Sequence, residues 1–82
     1  LSAKPQTLVN TLRVERAVRR MTQAELAERV GVSRQAINAI ETGKFMPSAL
    51  LAIKLARVLE KSVEDLFILQ DEEAAPVPQQ DE

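Results

Sequence analysis

The chain is punctuated for short helices, and that punctuation limits what it can fold into. Thr22 stands three residues before Glu25, the spacing of a capping box, in which a hydroxyl and a carboxylate satisfy backbone N–H groups at a helix start. Ser33 is a second start, Pro47-Ser48 a third, and Ser62, three before Asp65, a fourth. Gly31 and Gly43 act as stops, because glycine enters the left-handed conformation without a Cβ penalty. Five helices are therefore expected, at about 8–19, 23–30, 34–41, 48–59 and 63–68. No alternating apolar pattern competes with them, and no internal repeat is present. The expected fold class is all-α, with short connections throughout.

Length and composition narrow the field further. Eighty-two residues make one domain at most. A chain of this size buries only about 60% of the surface its unfolded form exposes, so the core must be well patterned. Two Phe are the only aromatics, which disfavours the base-stacking platforms that bind single strands. The absence of Cys and His removes disulfides, thiolate and imidazole metal ligands and most nucleophile–base pairs. With no Gly-rich phosphate loop and no converging carboxylates either, no enzyme is expected: no catalytic residue, metal, cofactor or small-molecule ligand can be named. No apolar run approaches the roughly 18 residues of a membrane span, and no signal-peptide core is present, so a cytoplasmic protein is expected. The chain begins at Leu1 and not at Met, as a processed or excised piece would.

Net charge is −1, but its distribution is lopsided. Residues 1–61 carry all eleven Lys and Arg against five acids, a balance of +6; residues 62–82 carry the other seven acids and no base, a balance of −7. A basic body with an acidic end fits a nucleic-acid footprint, and it also fits an ordinary solvated surface. Residues 1–7 read as a flexible lead-in, 8–69 as the domain, and 70–82 as a disordered acidic tail.

The join between the second and third helices is more specific. Leu26, Ala27 and Val30 share one face of the second; Ala36, Ile37 and Ile40 share one face of the third. Gly31 lies in the link, where a positive φ costs least, and small Ala27 permits close approach. Two helices joined by a three- or four-residue turn containing Gly form a helix-turn-helix, here Thr22 to Lys44. Arg34, Gln35, Asn38 and Thr42 point away from the apolar face of the third helix, with Ala39 at the margin. Arg pairs with guanine O6/N7, and Gln or Asn with adenine N6/N7, so this face is suited to reading bases in a major groove. Taken alone, the same residues are simply the polar side of an amphipathic helix; the frame around them favours base reading.

The stretch TQAELAERVGVSRQAINAIETGKFMPS resembles the DNA-binding domain of the phage-repressor/Cro (XRE-type) family. The similarity runs from about Val9 to Phe67 and is carried by Leu12, Arg16, Thr22-Gln23, Leu26-Ala27, Gly31-Val32-Ser33, Ile37, Ile40-Glu41, Gly43-Lys44, Pro47-Ser48 and the closing SVEDLF. The resemblance implies a compact, lambda-repressor-like five-helix domain that binds a double-stranded operator, usually as a homodimer, to control transcription. Repression by occlusion is the expected mode.

Carried over residue by residue, the resemblance makes Arg34 and Gln35 the principal base contacts, with Asn38 on the same face. Gln23 matches a position that bonds a phosphate and buttresses the recognition helix, Ser33 opens that helix beside a phosphate, and Lys44 meets the far strand. Arg13 and Arg19 are further phosphate candidates. Arg16 and Glu41 match an internal ion pair that locks the third helix in place.

Some positions depart from the pattern. Arg20 and Glu60 stand at helix ends where the family commonly has Gly. Leu50 is apolar where a polar residue is usual, so the fourth helix turns Leu51, Leu55 and Leu59 to the core and leaves Leu50 and Ile53 opposite. With Ile68 and Leu69 they are either a thinly covered core edge or a homodimer surface. A same-fold module that acts through protein contact, such as an antitoxin or a coactivator-like bridge, is the alternative to a DNA-reading regulator.

Overall fold

A computed structural model describes residues 5–71; residues 1–4 and 72–82, and with them most of the expected lead-in and tail, lie outside the described residues. The chain runs β1 (Gln6–Asn10), α1 (Leu12–Val18), α2 (Gln23–Val30), α3 (Arg34–Glu41), α4 (Ala49–Leu59), α5 (Val63–Leu66) and β2 (Phe67–Asp71). The starts follow the chemistry of the caps. The Thr22 hydroxyl accepts from Glu25 N–H at 3.0 Å while the Glu25 carboxylate accepts from Thr22 N–H at 2.8 Å, a complete capping box. Ser33, Ser48 and Ser62 each accept from the N–H three residues on. Gly31 ends α2 at φ 79°, and its N–H reaches the Ala27 carbonyl.

The fold is not all-α. The two ends of the described chain pair as an antiparallel ribbon, with Leu8 opposite Leu69, Val9 opposite Ile68 and Asn10 opposite Phe67. The expected first helix therefore begins at Leu12 and not at 8, and the last stops at Leu66, where Phe67 is already extended at φ −121° and ψ 118°. Gln6 and Thr7, expected in the lead-in, and Gln70 and Asp71, expected in the tail, belong to the strands. Facing β-branched Val9 and Ile68 favour the pleated pairing over a helix. Asn10 makes the change of direction: its Oδ1 accepts from Leu12 N–H at 3.1 Å, and its Nδ2 donates to the Ile40 carbonyl at the end of α3 at 2.9 Å.

One core joins all five helices. Leu12, Leu26, Ile37, Leu55, Leu59 and Leu66 are fully enclosed, with Ala27, Val30, Ile40, Leu51, Ala56 and Phe67 completing the cluster. In α2 and α3 the buried positions are those that helical spacing selects, apart from Ala36, which is only half-buried.

The two positions lacking the usual Gly keep the helix-end geometry at a cost. Arg20 (φ 54°) and Glu60 (φ 59°) sit in the left-handed region. Met21 N–H and Lys61 N–H then reach back to the Arg16 and Ala56 carbonyls, so the backbone bonds of a glycine-type stop are made without glycine. A Cβ there costs about 1–2 kcal/mol, part of which glycine returns as extra freedom in the unfolded chain. Arg20→Gly and Glu60→Gly are each expected to stabilise the domain by about 0.5–1 kcal/mol, read as a higher urea midpoint at an unchanged slope.

Candidate nucleic-acid interface

α3 lies with Ile37 and Ile40 in the core and turns Arg34, Gln35 and Asn38 to solvent. Among the described residues the side chains of Arg34, Gln35 and Lys44 make no hydrogen bond or ion pair, so their donors remain available. Ser33 uses its hydroxyl oxygen to accept from Ala36 N–H at 3.1 Å, which leaves the hydroxyl proton free to donate. Lys44 follows Gly43 in the loop leaving α3, and its N–H is held by the Ala39 carbonyl at 2.8 Å. Ser33 and Lys44 thus stand at opposite ends of the helix, with the polar face between them.

Behind that face is a polar network that spans α1, α2 and α3. Arg16 meets Glu41 two-pronged, Nε to Oε2 at 2.8 Å and Nη2 to Oε1 at 3.1 Å, and its Nη1 donates to the Met21 carbonyl at 2.9 Å. The side chains are 16% and 1% exposed, so water does little to weaken the pair. Burial works against a charge on Glu41. Hydrogen bonds from Arg16 and Gln23, with the charges of Arg16 and Arg13, outweigh that penalty and hold the carboxyl below its ordinary range. The hydrogen bond to Glu41 raises the Arg16 guanidinium above its already high value, against the effect of burial.

The sequence-derived phosphate candidates separate here. The Arg13 side chain is 71% exposed, with its Nε 3.9 Å from Glu41, so it stays at the surface beside the network. Arg19 is committed inside the domain. Its Nη1 donates to the Glu15 carbonyl and carboxylate, both at 2.8 Å, and its Nη2 donates to the Leu59 carbonyl at the end of α4. A helix-end carbonyl needs a donor, and Arg19 supplies it, which gives its guanidinium a scaffold role beyond the expected phosphate contact. Gln23 has the buttressing contacts that the resemblance implies. Its Nε2 donates to Glu41 Oε1 at 3.0 Å and to Asn38 Oδ1 at 3.1 Å, which uses both amide protons within the protein. What Gln23 offers an anion is its backbone N–H at the start of α2.

Leu50, Ile53, Ile68 and Leu69 are 65%, 48%, 40% and 62% exposed. Sequence reasoning missed other exposed apolar residues, Val14 and Val18 on α1 and the pair Phe45-Met46. Phe45 and Met46 close a shallow cleft against Leu8 and Phe67. No helical period covers 45–47, so the sequence carried no signal for the cleft. It missed Asn10 for a related reason, since the Ile40 carbonyl it holds lies 30 residues away.

The sign of the Glu41 shift fixes a pH dependence. A depressed carboxyl pKa contributes stability that is fully present above the ordinary value of 4.5 and is lost as pH falls through the folded value. At pH 7, Glu41→Gln leaves Arg16 without its counter-charge and is expected to cost about 3–5 kcal/mol. By pH 3 the gap between the variant and the unmodified protein should narrow, because the carboxyl of the unfolded chain, with its ordinary value of 4.5, then binds a proton that folding must expel to form the pair. Urea unfolding of both proteins at the two pH values checks this; an unchanged gap would show that the charge on Glu41 is not the source.

Comparison with known proteins agrees with this geometry. The helix-turn-helix family profile matches residues 12–66. An uncharacterised HTH-type transcriptional regulator of Methanocaldococcus jannaschii is 48% identical over 64 residues, 78% of this chain and 97% of that protein. A second, from Archaeoglobus fulgidus, is 53% identical over 62 residues, 76% of this chain and 89% of the relative. Among solved structures, the P22 c2 repressor, crystallised in complex with a synthetic operator, superposes with a TM-score of 0.63 at 30% identity, covering 65% of this chain and 80% of the repressor. A single profile spanning α1 to α5, with relatives matched over most of their length, settles the assignment: the chain belongs to the XRE-type helix-turn-helix family of the phage repressors.

Proposed function

We propose that this protein is a sequence-specific repressor that lays α3 in the major groove of a double-stranded operator. That it is a DNA-binding transcriptional regulator follows from its family. The finer reading is supported above all by the outer face of α3, where Arg34 and Gln35 stand exposed and uncommitted on a helix fixed from behind. Arg34 and Gln35 read base edges, and Asn38 lies beside them on the same face. Ser33, Lys44, Arg13 and the Gln23 backbone N–H meet phosphates and set the register, a role that carries no sequence information. A cytoplasmic site of action goes with that role.

Affinity and specificity come from two copies. Leu50 and Ile53 on α4, with Ile68 and Leu69 on β2, leave apolar surface in solvent that a second protomer would cover. A two-fold dimer reads two half-sites about 34–36 Å apart, so the operator should be a palindrome with one-turn spacing.

Selection of bound sequences from a random duplex pool, followed by titration of the selected site, tests the proposal. Arg34→Ala should cost about 1–3 kcal/mol and relax preference at one base pair of each half-site. Lys44→Ala should weaken all sequences alike and reduce the slope of log K against log salt by about one. Equal affinity for selected and random DNA would overturn sequence-specific reading, and regulation that survived loss of both Arg34 and Gln35 would favour action through protein contact. For the dimer, Leu50→Glu with Ile53→Glu should sediment as a monomer and lose the palindrome requirement. An unmodified protein that is already monomeric on its operator removes the dimer.

A further inference from the structure

Asn38 is on the reading face, but unlike Arg34 and Gln35 it is tied to the interior. An amide side chain carries a donor on one edge and an acceptor on the other, and turning it over exchanges them. At Asn38 that choice is made from inside the domain, through a chain of groups with fixed roles. Arg16 only donates, so Glu41 must accept from it, and a carboxylate held ionised has no proton of its own to give. Gln23 therefore has to turn its NH2 edge to Glu41 Oε1, at 3.0 Å. The second proton of that NH2 faces Asn38, at 3.1 Å, and can only be met by the Asn38 oxygen. The polarity set by the Arg16–Glu41 pair passes through Gln23 to the outer face of α3.

The geometry points to Gln23 as a positioning residue for specificity: it holds Asn38 Oδ1 inward, so that Asn38 presents its Nδ2–H donors to the DNA and selects against cytosine at the base it faces. This rests on the proposed reading of α3 in the major groove. Guanine offers O6 and N7, adenine N7 and thymine O4 as acceptors there, whereas cytosine offers only its N4 donor. A freely turning asparagine would meet cytosine with its oxygen at little cost. The clamp removes that option, because releasing Oδ1 leaves a Gln23 proton without an acceptor.

The test has one arm without DNA and one with it. In the free protein, side-chain amide exchange followed by NMR should show Gln23 NH2 protons protected severalfold relative to those of exposed Gln35; equal exchange would overturn the clamp whatever the protein binds. With DNA, Asn38→Ala first identifies the base pair that Asn38 faces, as the one whose preference it alters in a random-pool selection. There the unmodified protein should rank cytosine last on the contacted strand. In Gln23→Ala, cytosine should recover roughly fivefold relative to the best base, because Asn38 is then free to turn over. The Arg16–Glu41 contacts stay in place in that variant, and a merely structural role for Gln23 would lower affinity for all four bases together. An unchanged cytosine penalty in Gln23→Ala, or no altered preference in Asn38→Ala, overturns the proposal while leaving sequence-specific binding intact. Absence of any selected sequence with the unmodified protein overturns both.

Discussion

The Arg16–Glu41 pair decides where the exposed face of α3 points. Hydrophobic contact through Ile37 and Ile40 is strong but non-directional, and it permits small rotations and slides of a two-turn helix. A two-pronged ion pair between α1 and the last residue of α3 removes that freedom, because both oxygens of Glu41 must meet specific nitrogens of Arg16. Gln23 adds α2 to the same anchor. Three helices thus share one carboxylate that is almost wholly out of water. Such a pair contributes little net stability compared with apolar residues of the same volume. Its value is geometric, since the proposed reading of bases would need donors placed to within about half an ångström.

The same principle of mutual commitment sorts the arginines. By spacing alone Arg13, Arg16 and Arg19 look alike, three residues apart along a short basic segment. In the fold each has a different fate. Arg16 is consumed by Glu41, Arg19 closes the carbonyl end of α4, and Arg13 keeps its charge in solvent. A count of eleven Lys and Arg over residues 1–61 therefore overstates the donors on offer to an anion, because the guanidiniums tied into the scaffold have theirs already engaged.

Legibility from sequence followed the range of the interactions. Caps act over three residues, so Thr22, Ser33, Ser48 and Ser62 announced their helices, and α2 and α3 came out at the expected boundaries. The face of α3 was equally legible, since it depends only on helical period. The ribbon was not. Leu8-Val9 and Ile68-Leu69 are too short to show alternation, and what makes them strands is a partner about 60 residues away. Local apolar spacing assigned Leu8, Val9 and Ile68 to helices. The inward contacts of Gln23 and Arg19 were illegible residue by residue on the same account: they are set by Asn38, Glu41 and Leu59, residues brought near only by the fold.

The ribbon also fixes where the ends of the domain emerge. With Gln6 opposite Asp71, the path in and the path out lie one strand apart, and the helical body between them is in effect a closed ring. Anything covalently attached to either end would be tethered at a single point. A pull on both ends would load the five rungs of the ribbon before it reached the helices, like opening a zip and not like shearing one. Since Asn10 ties the inner end of that ribbon to the Ile40 carbonyl near the end of α3, mechanical or thermal fraying from the ends runs inward toward the helix whose outer face carries Arg34 and Gln35.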